Sequence, residues 1–448
     1  MNRKTLQLLL TGLAIASVGC SPQTHNGRVP APSGLMCELL AQPAGVRIVD
    51  AQPEFSWIVN SGIRADTQTA CQILVASSVE KLADDLGDVW DSGKVSSGRS
   101  VGVAYEGSAL ASNTDYAWKV RIWNADGTVS DWSRPQRFQT GDVESGYQTT
   151  RYHLHKSRVG PFRLVKQADG NYFVDFGRAA FATVELTLTN PGQARTIAIH
   201  LGEVPEGNAI NRNPGGSRRY RKMELVVEPG TRSYTVTIPP DKRNTGSNAI
   251  KIPKDVGEVM PFRYCEIENW PYEFDEEGIC QITLHYPFDD DAASFSCSNR
   301  ILNDVWELCK YSIKATSFCG VYVDGDRERI PYEADAYINQ LCHYSVDREY
   351  TMGRYTHEYL ITHPTWPTEW ILHSVLMAWA DYLYTGDADS IRHFYDDLKA
   401  KTLISLGRED GLISVNTGLV TDEVLESIHF RGKLRDLVDW PHGVFLVS

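Results

Sequence analysis

Among its nine cysteines the chain has no C-x-x-C pair. A zinc ribbon or a dithiol redox site needs that spacing, so neither is expected, and no metal or cofactor is called for. A basic excess is missing too. Lys and Arg number 44 against 57 Asp and Glu, a net charge of −13 spread along the chain. That argues against a nucleic-acid partner and against adsorption to an anionic membrane. The apolar stretch Leu6 to Ser17 falls short of the ~20 residues that a spanning helix needs. Aromatic residues, by contrast, are plentiful, with 11 Trp and 21 Tyr. Many belong to cores, but flat rings also stack on sugars. With 448 residues, 42% apolar and 23% charged, the chain has material for globular cores. Roughly three domains are expected at about 150 residues each.

Residues 1–20 read as a processing segment. Arg3 and Lys4 precede the apolar stretch, and Ser17-Val18-Gly19 leads into Cys20. This resembles a bacterial lipoprotein signal, in which the Cys20 thiol becomes a thioether to diacylglycerol. An ordinary signal peptide cut near Cys20 is the alternative. Residues 21–34 are polar and rich in Pro and Gly, suiting a tether. The expected location is therefore outside the cytoplasm, lipid-anchored to the outer membrane. The lack of an acidic run after Cys20 favours its periplasmic side. The other eight cysteines are scattered and are expected mainly as small buried hydrophobes.

Residues 35–140 read as all-β. Phe55 to Val59, Cys71 to Ala76 and Tyr116 to Trp123 are strand-like, and the last alternates up to the turn Asn124-Ala125-Asp126-Gly127. Short strands with frequent turns suggest an immunoglobulin or fibronectin type III sandwich, with Trp57 and Trp118 in its core. Residues 141–290 suggest a second β-sandwich. Its strands include Tyr172 to Phe176, Thr183 to Leu188 and Ser233 to Ile238. The basic stretch Asn211 to Arg221 reads as a solvated loop. From about residue 291 the period becomes helical, with Ile301, Val305, Leu308 and Ile313 on one face and Ser298 as an N-cap. Further helices are expected over about 332–345, 347–362, 367–385 and 389–407. Trp366, Trp370 and His373 share a face of the third, lining either a sugar pocket or a helix contact.

The densest chemistry lies in Val323-Asp324-Gly325-Asp326-Arg327-Glu328-Arg329-Ile330-Pro331-Tyr332-Glu333-Ala334-Asp335-Ala336. Pro331 favours a helix start, which leaves Asp324 to Arg329 in a loop and Asp335 in the first helical turn. A charged loop is commonly a solvated edge. Here, however, apolar stretches flank it, Phe318 to Val323 and Tyr332 to Leu341, so it is expected to face a cleft.

This segment resembles the catalytic motif of the α-L-rhamnosidases, glycoside hydrolase family seventy-eight. The motif has a leading Asp, a Glu, an aromatic four residues after the Glu and Asp-Ala seven and eight after it. Glu328, Tyr332 and Asp335-Ala336 match. Asp324 best matches the leading Asp, at a shorter spacing than usual, with Asp326 as a rival, and Tyr332 stands where Trp is common. Pro261 to Glu268, Ala378 to Asp387 and Leu437-Val438-Asp439-Trp440-Pro441 also resemble family segments. The resemblance covers residues 35 to about 441. It implies a fibronectin-III-like sandwich (35–140), a second β-sandwich (141–290) and part of an (α/α)6 barrel (291–448). It implies an inverting hydrolase acting on rhamnose-containing plant or algal oligo- or polysaccharides. Glu328 would be the general acid, and Asp324, Asp335, Tyr332 and Trp440 would bind the sugar. Acids near Glu328 favour its protonated form and Arg327 and Arg329 oppose it, so the balance depends on side-chain direction.

The resemblance also leaves a gap. An (α/α)6 barrel has twelve helices, and about five or six fit into 291–448. No residue matches the family's catalytic base, and neither Glu369 nor Glu423 sits in a matching motif. The expectation is an incomplete barrel, inactive on its own. The alternative is a non-catalytic, lipid-anchored glycan-binding protein. A third class, an unsaturated glucuronyl hydrolase on the same fold, is disfavoured by the motif spacing.

Overall fold

The computed structural model describes residues 29–144, 146–365, 368–414, 420–430 and 444–446. Cys20, Trp366 and Trp440 lie outside the described residues.

The first unit is a two-sheet sandwich. Its strands are β1 (Ser33–Cys37), β2 (Arg47–Asp50), β3 (Glu54–Ile58), β4 (Ala70–Ala76), β5 (Trp90–Asp91), β6 (Val95–Ser96), β7 (Val103–Ala104), β8 (Asp115–Trp123) and β9 (Gln136–Glu144). One sheet runs β1-β3-β7, the other β2-β9-β8-β4-β5 with β6 also on β4. The β8 alternation sends Tyr116, Trp118, Val120 and Ile122 into the core between the sheets. There Trp118 meets Phe55 at 4.4 Å between ring centroids. The opposite face of β8 is covered as well. Helix α1 (Val79–Ala83) lies over Ala117, and the buried Lys119 ammonium reaches the Leu82 carbonyl and Asp85. The indole N–H groups of Trp57 and Trp118 donate to Gln68 (3.0 Å) and Gln136 (2.9 Å). Burying an indole is tolerable only when its donor is satisfied, so both tryptophans are core residues.

The second unit comprises β10 (His155–Val159), β11 (Arg163–Lys166), β12 (Tyr172–Asn190), β13 (Arg195–Gly202), β14 (Pro205–Glu206), β15 (Ala209–Ile210), β16 (Tyr220–Val227), β17 (Gly230–Thr235), β18 (Met260–Glu268) and β19 (Ile279–His285). Where a second sandwich of two sheets was expected, these strands form one eight-stranded sheet, β10-β19-β12-β18-β13-β16 with β11 and β17 also on β12, and β14 and β15 pair apart from it. The two separate strands expected at Tyr172 and Thr183 are one strand of 19 residues. Its first part pairs with β11 and β18, and its later part with β19 and β17. The join is a bulge between Asp175 and Ala180. Gly177 there has φ +83°, a conformation that costs other residues strain.

Helices follow: α2 (Arg300–Thr316), α3 (Glu333–Val346), α4 (Thr351–Thr362), α5 (Thr368–Ile371), α6 (His373–Thr385), α7 (Asp389–His393), α8 (Tyr395–Lys401) and α9 (Asp422–Ser427). The cap of α2 is Asn299, not Ser298, because Asn299 Oδ1 accepts from Ile301 N at 3.0 Å. Three residues of the predicted apolar face of α2 are exposed, Ile301 at 71%, Val305 at 48% and Leu308 at 64%, while Ile313 is half-buried. The helix expected over 367–385 is broken at Leu372 into α5 and α6. Gly386 ends α6 with φ +70° and donates to the Tyr382 carbonyl at 2.8 Å. No disulfide is present among the described residues, and five of the eight cysteines there are buried.

Where the first sandwich meets the helices, Glu38, Asp50 and Glu54 bring carboxylate oxygens within 4.8 Å of one another. Arg354, Asp387 and Thr150 line the same small hollow. Glu38 is pushed up to about 7 by burial. Burial and repulsion from Glu38 raise Glu54 as well. A raised carboxyl pKa means that the folded state prefers the protonated form. The stability this gives is present below the ordinary carboxyl range and is lost as pH rises through about 7. Buried Glu349 and Glu358 are raised by burial and act in the same direction. Calorimetry should therefore show the unfolding midpoint falling between about pH 5 and about pH 8, by about 2–4 °C for each kcal/mol lost. Glu54→Gln should flatten part of that slope. An unchanged slope would mean the pair is ionised and solvated.

Candidate active site

Phe318, Val321, Tyr322 and Val323 are buried and anchor the start of the charged loop. The loop closes on itself, with Asp324 N donating to the Ile330 carbonyl (3.1 Å) and Ile330 N to Asp324 Oδ1 (3.3 Å). Helix α3 begins at Glu333, two residues after Pro331. Asp335 falls in its first turn, as the sequence predicts. Arg329 has φ +56°, which is strained for a side-chain-bearing residue. Its 2%-exposed guanidinium is pinned by Glu258 (2.8 Å), Asp326 (2.9 Å) and the Val259 carbonyl (3.0 Å). Those contacts hold the backbone in place.

The five carboxylates of the motif separate into two groups. Asp326 is taken up largely by the second β unit. Its oxygens receive Arg219, Arg329 and Asn244 Nδ2, the last at 2.8 Å. Glu333 is fully buried and accepts from Thr365 N at 2.9 Å and from the Thr365 hydroxyl. Burial raises its pKa, and the buried Lys401 ammonium, itself lowered to about 8 by burial, opposes that. Both are structural pins. The stretch Asn211 to Arg221 is accordingly more than a solvated loop. Arg219 is 4% exposed and docks on Asp326, Arg212 pairs with Glu266 (2.6 Å) and Arg221 with Asp241 (3.2 Å).

Asp324, Glu328 and Asp335 remain available. A chain of contacts runs through the first two. Arg327 Nη2 is 3.3 Å from Asp324 Oδ2, and Arg327 Nε is 3.3 Å from Glu328 Oε1. Tyr332 Oη donates to Glu328 Oε2 at 2.6 Å. Burial, with the Glu328 carboxylate, raises the Tyr332 hydroxyl, which keeps it a donor. The Tyr332 ring meets Trp370 edge-on at 5.6 Å, and His373 lies 6.0 Å from Tyr337. Arg329 points away from Glu328, so Arg327 is the arginine in contact with it.

Asp324, Asp335 and the already paired Asp326 line a cavity of about 1000 Å³ between the second β unit, α2 and the loop. Burial raises the Asp324 carboxyl pKa. Its Oδ2 is buried and accepts no hydrogen bond, although the Arg327 charge is near. Buried carboxylate oxygens are costly when unmatched, and a sugar hydroxyl would satisfy this one. Asp335 is exposed. Glu328 and Tyr332 do not line this cavity. They sit at its edge, joined to it through Arg327.

The opposite wall was not expected from the sequence. Gly177, Arg178 and Phe181 of β12, Arg263 and Tyr264 of β18 and Tyr311 of α2 all face the cavity. The one signal was the Gly-Arg interruption of an apolar strand pattern at Gly177-Arg178.

Two family models match the chain. Residues 32–144 match the Rha78A-like, N-terminal immunoglobulin domain. Residues 290–417 match the bacterial alpha-L-rhamnosidase six-hairpin glycosidase domain. Among curated proteins, an alpha-L-rhamnosidase of Formosa agariphila is 37% identical over 145 residues, 30% of this chain and 15% of that protein. One of Streptomyces avermitilis is 28% identical over 287 residues, 63% of this chain and 23% of that protein. The chain thus spans well under half the length of these relatives. Among solved structures, the alpha-L-rhamnosidase of Dictyoglumus thermophilum superposes with a TM-score of 0.63 at 15% identity, over 85% of this chain and 65% of that one. The Aspergillus terreus enzyme gives 0.62 at 12%, over 85% and 66%. At these identities the superpositions show a shared fold.

Proposed function

Both matched stretches of this chain belong to the bacterial α-L-rhamnosidase family, and on that premise we propose that the protein binds and hydrolyses terminal α-L-rhamnose on a plant or algal glycan. One observation carries the reading. Three of the five carboxylates in the motif line the cavity, and of these Asp326 has its oxygens taken by Arg219, Arg329 and Asn244, which leaves the two matched to sugar binding, Asp324 and Asp335, while Glu333 is buried on Thr365. Asp324 and Asp335 accept hydrogen bonds from ring hydroxyls and strengthen them as positive charge develops on the ring. Glu328, oriented by the Tyr332 hydroxyl, gives its proton to the departing glycosidic oxygen. Inversion requires a second carboxylate about 6.5–9.5 Å away to activate water. Rhamnose binding followed by calorimetry, alongside hydrolysis of an aryl α-L-rhamnoside, tests the reading. Asp335→Asn should weaken binding without loss of fold. Binding without turnover in any assay would favour the glycan-binding alternative, and absence of both would overturn the proposal.

The lipid anchor is a further part of the proposal, and the Ser17-Val18-Gly19-Cys20 sequence supports it. Cells fed a labelled fatty acid should incorporate it into the wild-type protein. Cys20→Ala should take up no label and be released in soluble form. An unlabelled wild type would rule the anchor out.

A further inference from the structure

Near its end the basic stretch Asn211 to Arg221 carries a residue that grips the motif loop twice. Arg219, just before β16, is buried and sends Nε to the Asp326 carboxylate and Nη2 to the Asp326 carbonyl. Its own backbone N–H is held by the Glu203 carboxylate, just past β13, so the guanidinium starts from a fixed point of the second β unit. The Arg329 carbonyl is taken by another residue outside the loop, accepting from the Ile250 N–H at 2.8 Å. Asn244 Nδ2 and Arg329 Nη2 also donate to the Asp326 carboxylate, at 2.8 and 2.9 Å.

The two grips do different things. A carboxylate can be neutralised by any nearby cation. A donor on a carbonyl fixes the plane of one peptide. The Asp326 carbonyl belongs to the peptide that leads into Arg327. Turning that plane would swing Arg327, whose guanidinium lies 3.3 Å from both Asp324 Oδ2 and Glu328 Oε1. The loop needs an outside hold, because Arg329 at φ +56° keeps a strained backbone only while its surroundings enforce it. The bonds that close the loop on itself, at 3.1 and 3.3 Å, are not short. An ammonium could supply the charge at this position but not the planar fork.

We propose that Arg219 is a positioning residue of the candidate active site, whose fork on residue 326 fixes the 326–327 peptide and thereby sets where Arg327, Asp324 and Glu328 stand. Arg219 does not line the cavity, so it acts through the loop. Its effect on sugar binding rests on the reading that Asp324 receives rhamnose.

Arg219→Met alone leaves Asp326 buried beside one cation fewer, which destabilises the fold as well. The informative comparison is Asp326→Asn against Asp326→Asn with Arg219→Met, in the full chain. Neither strands an acid at 326, and only the first keeps the guanidinium on the carbonyl. Asp241, 3.5 Å from Arg219, retains Arg221 and Arg243. The two variants should unfold at similar temperatures. In the double variant, amide hydrogen exchange over 318–332 should be about tenfold faster, and L-rhamnose should bind about tenfold more weakly by titration calorimetry, the effect of one lost charge-assisted hydrogen bond. Arg219→Lys, which keeps the charge and loses the fork, should also speed exchange of the loop. Equal exchange in the two variants, or full protection in Arg219→Lys, makes Arg219 a counter-charge only and overturns the positioning role. So does a double variant that unfolds well below Asp326→Asn, or faster exchange with rhamnose affinity unchanged. In each of these cases rhamnose binding by the wild type keeps the sugar reading. If the wild type binds no rhamnose while loop exchange follows Arg219, the hold on the loop stands and the sugar assignment falls.

Discussion

Glu328→Gln is expected to leave the fold intact and to lower turnover of α-L-rhamnosides with poor leaving groups by about 10²–10⁴-fold, the usual contribution of a general acid. The side chain is partly exposed, and its partners, the Tyr332 hydroxyl and Arg327, can still contact an amide. The loss should shrink sharply with an aryl leaving group acidic enough to depart without a proton. That contrast separates proton donation from simple binding, because a binding defect would slow both substrates equally. Equal losses would demote Glu328 to a positioning residue. Tyr332→Phe should give a smaller loss than Glu328→Gln, since it removes one hydrogen bond to the acid and leaves the acid in place.

Arg354→Met is expected to destabilise the helical part by about 3–5 kcal/mol, the cost of stranding buried charge. Arg354 on α4 is 5% exposed and binds Asp381 on α6 through Nε (2.9 Å) and Nη2 (2.7 Å). Its Nη1 meets Asp387, just past the Gly386 cap, at 2.7 Å. Asp381 also takes a contact from the Tyr344 hydroxyl of α3 at 2.9 Å, so three helices meet at this group. Removing the cation leaves two buried carboxylates facing one another. Chemical denaturation should show the loss, and adding Asp381→Asn and Asp387→Asn to Arg354→Met should recover most of it. If the triple variant is as unstable as the single one, the contribution of Arg354 is packing by its aliphatic stem rather than charge.

Much of this architecture was legible in the residues. The alternation of Tyr116 to Trp123 marks a strand, since side chains on a strand alternate faces every residue. It did not reveal that α1 closes the second face, because α1 is a short segment and its burial of Lys119 depends on the Asp85 contact. The two apolar runs of β12 were visible, but Gly177-Arg178 between them looked like a break. In the fold the strand bulges there and continues. The face of α2 was read correctly as apolar by its period, yet burial is a property of neighbours and a period cannot supply them.

The identity and spacing of the motif residues were readable along the chain. Tyr332 stands four and Asp335 seven residues beyond Glu328, and Pro331 near the start of α3 keeps the acid in the loop and Asp335 in the helix. These are local relations, set by backbone geometry over a few residues. Which of the five carboxylates stays free was decided only by tertiary structure. Asp326 is captured by Arg219, 107 residues earlier, and Glu333 by Thr365, 32 residues later. The cavity wall of Arg178 and Arg263 comes from the second β unit by the same kind of long-range packing. Charge pairing and burial depend on distance in space, and two residues far apart along the chain carry no local record of meeting.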